Sequence, residues 1–130
     1  MKNILFIDDD KNFLTCLEEG FGFYSDLNLV TAGNGEEAIE KVESREFDLV
    51  VTDLRMPLMD GFQLIEFLKN HYPHIPIIVV SALSDPETAR KLKPFSVSMY
   101  IDKPVDLDEI VTGVTHVLNC DGAAGLRGDV

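Results

Sequence analysis

Five short apolar runs alternate with amphipathic segments along the 130 residues, and this alternation restricts the fold more than any other feature of the chain. The runs fall at 3–8, 26–32, 48–53, 75–80 and 98–101. Ile4-Leu5-Phe6-Ile7, Leu49-Val50-Val51 and Ile77-Ile78-Val79-Val80 are continuously apolar rather than alternating. A strand with one wet face alternates; a strand covered on both faces has no need to. Repeated βα units connect by right-handed crossovers, so five of them predict a parallel five-stranded sheet with helices on both faces. The expected class is α/β, with three layers in a doubly wound (βα)5 arrangement.

The segments between the runs carry helix-start chemistry. Asp10 precedes Phe13, Leu14, Leu17 and Phe21 at helical spacing. Cys16 is expected on the core face of this helix, as a small buried hydrophobe. Asn34 with Glu37, Asp60 with Gln63, and Asp106 with Glu109 have the spacing of capping boxes, each followed by an apolar stripe. Asp85-Pro86 offers a cap with proline at the first helical position. Pro94 predicts a short fourth helix, about 86–93, and Phe95-Ser96-Val97-Ser98 an unusual connection to the last strand. The chain reads as one domain over 1–120, with 121–130 as a flexible tail or linker stub.

Composition narrows the functional classes. The net charge is −12, without a cluster of Lys or Arg, so neither nucleic acid nor an anionic membrane is an expected direct partner. No apolar run approaches the roughly 20 residues of a membrane span. Lys2-Asn3-Ile4-Leu5-Phe6-Ile7 runs into three aspartates, unlike a signal peptide. Cys16 and Cys120 provide neither zinc spacing nor a disulfide framework. His71, His74 and His116 show no metal-ligand pairing. A soluble cytoplasmic protein is expected.

The informative residues fall at the carboxyl ends of the predicted strands, where open α/β sheets bind ligands. Asp8, Asp9 and Asp10 close the first strand, Asp53 the third, Ser81 follows the fourth and Lys103 the fifth. One acid would suffice to cap the first helix. Three acids facing Asp53 across neighbouring strands would repel one another unless a cation is shared. Hard carboxylate oxygens suit Mg²⁺, which binds through one or two protein carboxylates, waters and a phosphate. The expected chemistry is phosphoryl handling at a divalent-metal site.

These residues together resemble the receiver domain of bacterial two-component response regulators. The similarity rests on Ile4-Leu5-Phe6-Ile7-Asp8-Asp9-Asp10, Val51-Thr52-Asp53-Leu54-Arg55-Met56-Pro57, Asp60-Gly61, Val80-Ser81-Ala82 and Tyr100-Ile101-Asp102-Lys103-Pro104, and covers about 1–119. The resemblance implies a flavodoxin-like fold with strand order 2-1-3-4-5. It implies a phosphoacceptor signalling domain rather than an enzyme acting on a separate substrate. Asp53 would accept the phosphoryl group, and Mg²⁺ would be held by Asp8, Asp9, Asp53 and the backbone carbonyl of Arg55. Ser81 and Lys103 would bind the phosphoryl oxygens, and Tyr100 would act with Ser81 as the switch. The donor would be a sensor histidine kinase or a histidine phosphotransfer protein. The output would be a downstream protein or effector domain, reached through a surface of helix four, strand five and helix five around Leu92 and Tyr100. Arg55 and Leu83 would shield the phosphoaspartate from water.

Other classes fit less well. A flavodoxin-like electron carrier needs a hydroxyl-rich phosphate loop where this chain has three aspartates. A haloacid-dehalogenase-like phosphatase needs an acid two residues after its Asp nucleophile, and Arg55 stands there. A phosphate-relay shuttle without its own output remains an alternative within the receiver reading.

Overall fold

The fold is given by a computed structural model that describes residues 2–54, 61–81, 90–95, 97–103 and 105–122, with side chains through 119. The strands are β1 (Lys2–Ile7), β2 (Leu27–Ala32), β3 (Leu49–Thr52), β4 (Ile77–Ser81) and β5 (Met99–Asp102). The helices are α1 (Lys11–Phe21), α2 (Gly35–Ser44), α3 (Gly61–His71), α4, described over 90–92, and α5 (Leu107–Gly122). A 3-10 turn, Lys93–Phe95, follows α4. All neighbouring strands are parallel, in the order β2-β1-β3-β4-β5. The predicted runs match these strands with shifts of one or two residues at their ends, where helix and strand limits are least defined.

The continuous apolar runs are explained by two cores, one on each face of the sheet. Ile4, Phe6, Leu49, Val51, Ile78 and Val80 face α1 and α5. Leu5, Ile7, Val50, Ile77 and Val79 face α2 and α3. Successive side chains of a strand point to opposite faces, so a central strand between two helical layers must be apolar at every position. Ile4, Leu5, Phe6 and Ile7 are accordingly all 0% exposed. Each such side chain contributes about 1.5–3 kcal/mol of burial free energy.

The helix starts follow the local chemistry. Asp10 accepts hydrogen bonds from the backbone N–H groups of Asn12 and Phe13. Asn34 accepts from Glu37 N, but the Glu37 carboxylate reaches back to Gly33 N rather than to Asn34. Asp106 and Glu109 form a reciprocal capping box, at 2.9 and 3.3 Å. The caps expected at Asp60 and Asp85 lie outside the described residues.

Two expectations about burial are corrected. Cys16 is exposed. The buried stripe of α1 is Leu14, Leu17, Gly20 and Phe21, and Cys16 lies one residue, or about 100° of helix rotation, from Leu17. Leu92, expected on an output surface, is 4% exposed and belongs to the core on the α2–α3 face of the sheet. Helical structure ends at residue 92 and Pro94 sits within the 3-10 turn, as proline's missing N–H favours. The start of the fourth helix lies outside the described residues.

Candidate functional site

The register of the sheet assembles the site. Ile7 of β1 pairs with Thr52 of β3, so Asp8 and Asp53 emerge side by side from the same edge. Asp8 N donates to Ala32 O at 3.1 Å, and Asp53 N to Ile7 O at 3.1 Å. The backbone of both residues is thereby tied to a neighbouring strand. Asp8 is 1% and Asp53 6% exposed, while Asp9 is exposed. One carboxylate oxygen from each of Asp8, Asp9 and Asp53 lies within 4.8 Å of the other two.

Lys103 closes the cluster from the end of β5. Its backbone N donates to Ser81 O at 3.1 Å, tying the ends of β4 and β5 together. Its ammonium donates to Asp53 Oδ2 at 2.9 Å and to Asp8 Oδ2 at 3.0 Å. The other Asp8 oxygen, Oδ1, accepts from Asp10 N at 3.0 Å. Burial pushes the Asp8 carboxyl above its ordinary value, and its hydrogen bonds from Asp10 and Lys103 offset only part of that. Burial pulls the Lys103 ammonium down, but the hydrogen bonds to Asp53 and Asp8 outweigh it, and the net shift is upward. Lys103 is therefore held charged, and one ammonium shared by two buried carboxylates leaves the cluster acidic.

The donor set fits a hard divalent cation. All three side-chain donors are carboxylate oxygens, two are buried, and the exposed Asp9 leaves the cluster open on one side. That suits Mg²⁺, which retains several waters in its shell. The expected fourth contributor, the backbone carbonyl of Arg55, lies outside the described residues, as does Leu83.

Ser81 is the last residue of β4 and 1% exposed. Tyr100 pairs with Val79, two positions before Ser81, so Ser81 and Tyr100 face the same side of the sheet as diagonal neighbours. Tyr100 is half-buried against the α2–α3 core. Its hydroxyl is buried and no described atom meets full hydrogen-bond geometry with it, although the Asp102 carboxylate lies close enough to draw on its proton. Burial, with the Asp102 carboxylate nearby, pushes the phenol up to about 12.

Two contributors were not assigned a role from the sequence. Gly61 donates its N–H to Leu54 O at 2.9 Å, and a Cβ there would stand 2.6 Å from Asp53 O and 2.5 Å from Leu54 Cα. The backbone of Asp53 and Leu54 thus packs directly on the start of α3, and only glycine leaves room. Phe13, expected simply as a core residue of α1, also presents its ring to the Lys103 ammonium, 5.6 Å from the ring centroid. Nothing in its spacing along α1 distinguishes that second contact.

A doubly wound sheet carrying buried carboxylates and a paired lysine at its carboxyl edge defines a class of phosphoryl-handling α/β domains. The family model for the response regulator receiver domain matches residues 4–115, and the chain belongs to that family. It is 34% identical over 119 residues to the transcriptional regulatory protein ZraR of Klebsiella oxytoca, covering 89% of this chain and 26% of that protein. The chain thus spans about a quarter of the length of this curated relative. The receiver domain of a CheY-like protein from Methanospirillum hungatei JF-1 superposes with a TM-score of 0.89 at 24% identity, covering 95% of this chain and 98% of the other. The response regulator TrrA of Thermotoga maritima, solved in complex with Mg²⁺ and BeF, is 29% identical with a TM-score of 0.78, covering 90% of this chain and 99% of the other. The strand order expected from the family resemblance is the one observed. Among the described residues, no helix is long and apolar enough to cross a membrane.

Proposed function

We propose that Asp53 accepts a phosphoryl group from the phosphohistidine of a sensor histidine kinase or of a histidine phosphotransfer protein. The observation that supports this most directly is Asp53 itself: a nearly buried carboxylate held 2.9 Å from the Lys103 ammonium and beside the Asp8 and Asp9 oxygens. In the transfer, an Asp53 carboxylate oxygen bonds to phosphorus as the P–N bond of the donor breaks. The bonding pair stays on the imidazole nitrogen. Catalysis of this kind is largely positioning and charge neutralisation.

Asp8, Asp9, Asp53 and the Arg55 carbonyl would hold Mg²⁺, which when bound supplies positive charge to the phosphoryl oxygens. Lys103 would then exchange its carboxylate partners for a phosphoryl oxygen, and the Ser81 hydroxyl would donate to another. The shared face of Ser81 and Tyr100 supports a switch in which inward movement at Ser81 changes the packing around Tyr100. The affected surface would be that of α4, β5 and α5, read by a downstream protein or effector domain. The domain would act in the cytoplasm, without contacting DNA or membrane itself, and would catalyse only its own phosphorylation and slow dephosphorylation.

Incubation with Mg²⁺ and acetyl phosphate should add one hydroxylamine-labile phosphoryl group, detected by intact mass, and Asp53→Asn should abolish it. Undiminished labelling of Asp53→Asn would overturn the assignment. Amide spectra with and without beryllofluoride address the output: changes at 81 and 97–103 support a switch, whereas changes confined to the acidic edge favour a relay shuttle.

A further inference from the structure

We propose that Phe13 is a positioning residue for phosphoryl transfer: its ring face holds the Lys103 ammonium over the Asp8–Asp53 pair. The proposal rests on the reading of Lys103 as the lysine that binds the transferred group.

Three observations carry it. First, the Lys103 nitrogen stands 5.6 Å from the Phe13 ring centroid, within the range at which a cation is attracted to an aromatic face. Second, the ring is itself held. Phe13 packs edge-to-face on Phe6, with centroids 5.9 Å apart and planes at 71°, and Phe6 is 0% exposed at the centre of the α1–α5 core. The Asp10 cap adds a backbone constraint, because Asp10 Oδ1 accepts from Phe13 N at 3.2 Å. Third, Lys103 needs such a guide. Its side chain keeps 29% of its surface exposed, and it comes from β5, whose residues are half-buried or exposed.

The ring and the carboxylates attract the ammonium differently. Asp8 and Asp53 fix it by directional hydrogen bonds, and those bonds must be exchanged when a phosphoryl oxygen takes their place. An aromatic face attracts a cation without a single bonding direction and keeps one side of it dry. Lys103 can therefore change its oxygen partner while remaining against Phe13, instead of swinging into solvent. A leucine at position 13 would fill similar space in the core but would not provide this attraction.

The test compares Phe13→Leu, Phe13→Trp and protein carrying mono-, di- and trifluorophenylalanine at position 13. Fluorination drains charge from the ring face with little change in shape, so it separates the electrostatic role from packing even if Phe13→Leu folds poorly. Labelling of Asp53 by acetyl phosphate with Mg²⁺ should slow roughly three- to tenfold in Phe13→Leu, mainly in the rate at saturating phosphodonor. It should recover in Phe13→Trp and fall stepwise with each fluorine. Phe13→Leu should have no further effect in a Lys103→Ala background. Independently of activity, the ε-methylene protons of Lys103 should be shifted upfield by the ring in the metal-free protein, and the shift should vanish in Phe13→Leu. Equal rates across the fluorinated series, or unshifted Lys103 protons in the unsubstituted protein, would overturn the proposal while leaving Asp53 labelling intact. Absence of Asp53 labelling in the unsubstituted protein would overturn the functional reading as well.

Discussion

The two strands that deliver Asp8 and Asp53 differ sharply from the strand that delivers Lys103. β1 is fully buried over Ile4 to Ile7, and β3 at all its positions. Both lie inside the sheet, flanked by strands on each side. β5 is one of the two edge strands, pairs only with β4 among the described residues, and has no buried residue. The acids of the site are thus anchored at the ends of inner strands whose flanking residues are buried. Its cation and Tyr100 sit where fewer buried contacts oppose local opening. If Asp53 accepts the phosphoryl group and Tyr100 switches, as proposed, the sheet places the group that needs fixed geometry on an inner strand and the group that needs a low-cost movement on an edge strand.

The strongest way to break this comparison is to remove buried volume on each side of it. Phe6→Ala, at the centre of the α1–α5 core, should lower stability by about 3–5 kcal/mol in urea unfolding. Ile101→Ala, half-buried on β5, should cost only about 1–2 kcal/mol. Comparable losses would mean that the edge strand is as tightly held as the centre.

Gly61→Ala tests the fixed side from the start of α3, which packs on Asp53 and Leu54. Its Cβ would meet backbone atoms of Asp53 and Leu54, which can yield only by a shift of that backbone. We expect a loss of about 1–3 kcal/mol and slower labelling of Asp53 by acetyl phosphate. Unchanged labelling with unchanged stability would show that the backbone of Asp53 and Leu54 is not held against Gly61.

A smaller effect is expected at Tyr100. Its phenol is raised to about 12, so the fold favours the protonated form. This contribution is fully present below the ordinary value near 10 and disappears as pH rises through about 12. An ultraviolet titration of the native protein should show the Tyr100 transition above that of an unperturbed tyrosine. Tyr100→Phe, which removes a buried hydroxyl lacking full hydrogen-bond geometry with any described atom, should change stability by about 1 kcal/mol or less. A large loss would reveal a partner for the hydroxyl and a more rigid β5 than the comparison allows.

Hydrogen exchange sharpens the contrast without substitution. Amides of β1, β3 and β4 should exchange only through global unfolding, whereas those of β5 should exchange through a lower-energy local opening.

Much of this organisation is local and therefore readable along the chain. Continuous apolar runs mark strands covered on both faces, because side chains alternate and both sides must be buried. Asp10 and Asp106 announce helix starts, because a cap acts on N–H groups two or three residues away. The acids and the lysine at strand ends follow from the same periodicity. What remained hidden depends on contacts between distant segments. Lys103 bridges Asp8 and Asp53 across 95 and 50 positions of sequence, a geometry set by strand order and register. Only that register turns Tyr100 and Ser81 to one face. Cys16 was misread because a helical stripe has an edge, and which residue falls beyond it depends on the sheet and helix that pack against α1. Phe13 looked like core alone for the same reason. Its periodicity records that one side is apolar, but the charge against its ring arrives from β5, at the other end of the chain.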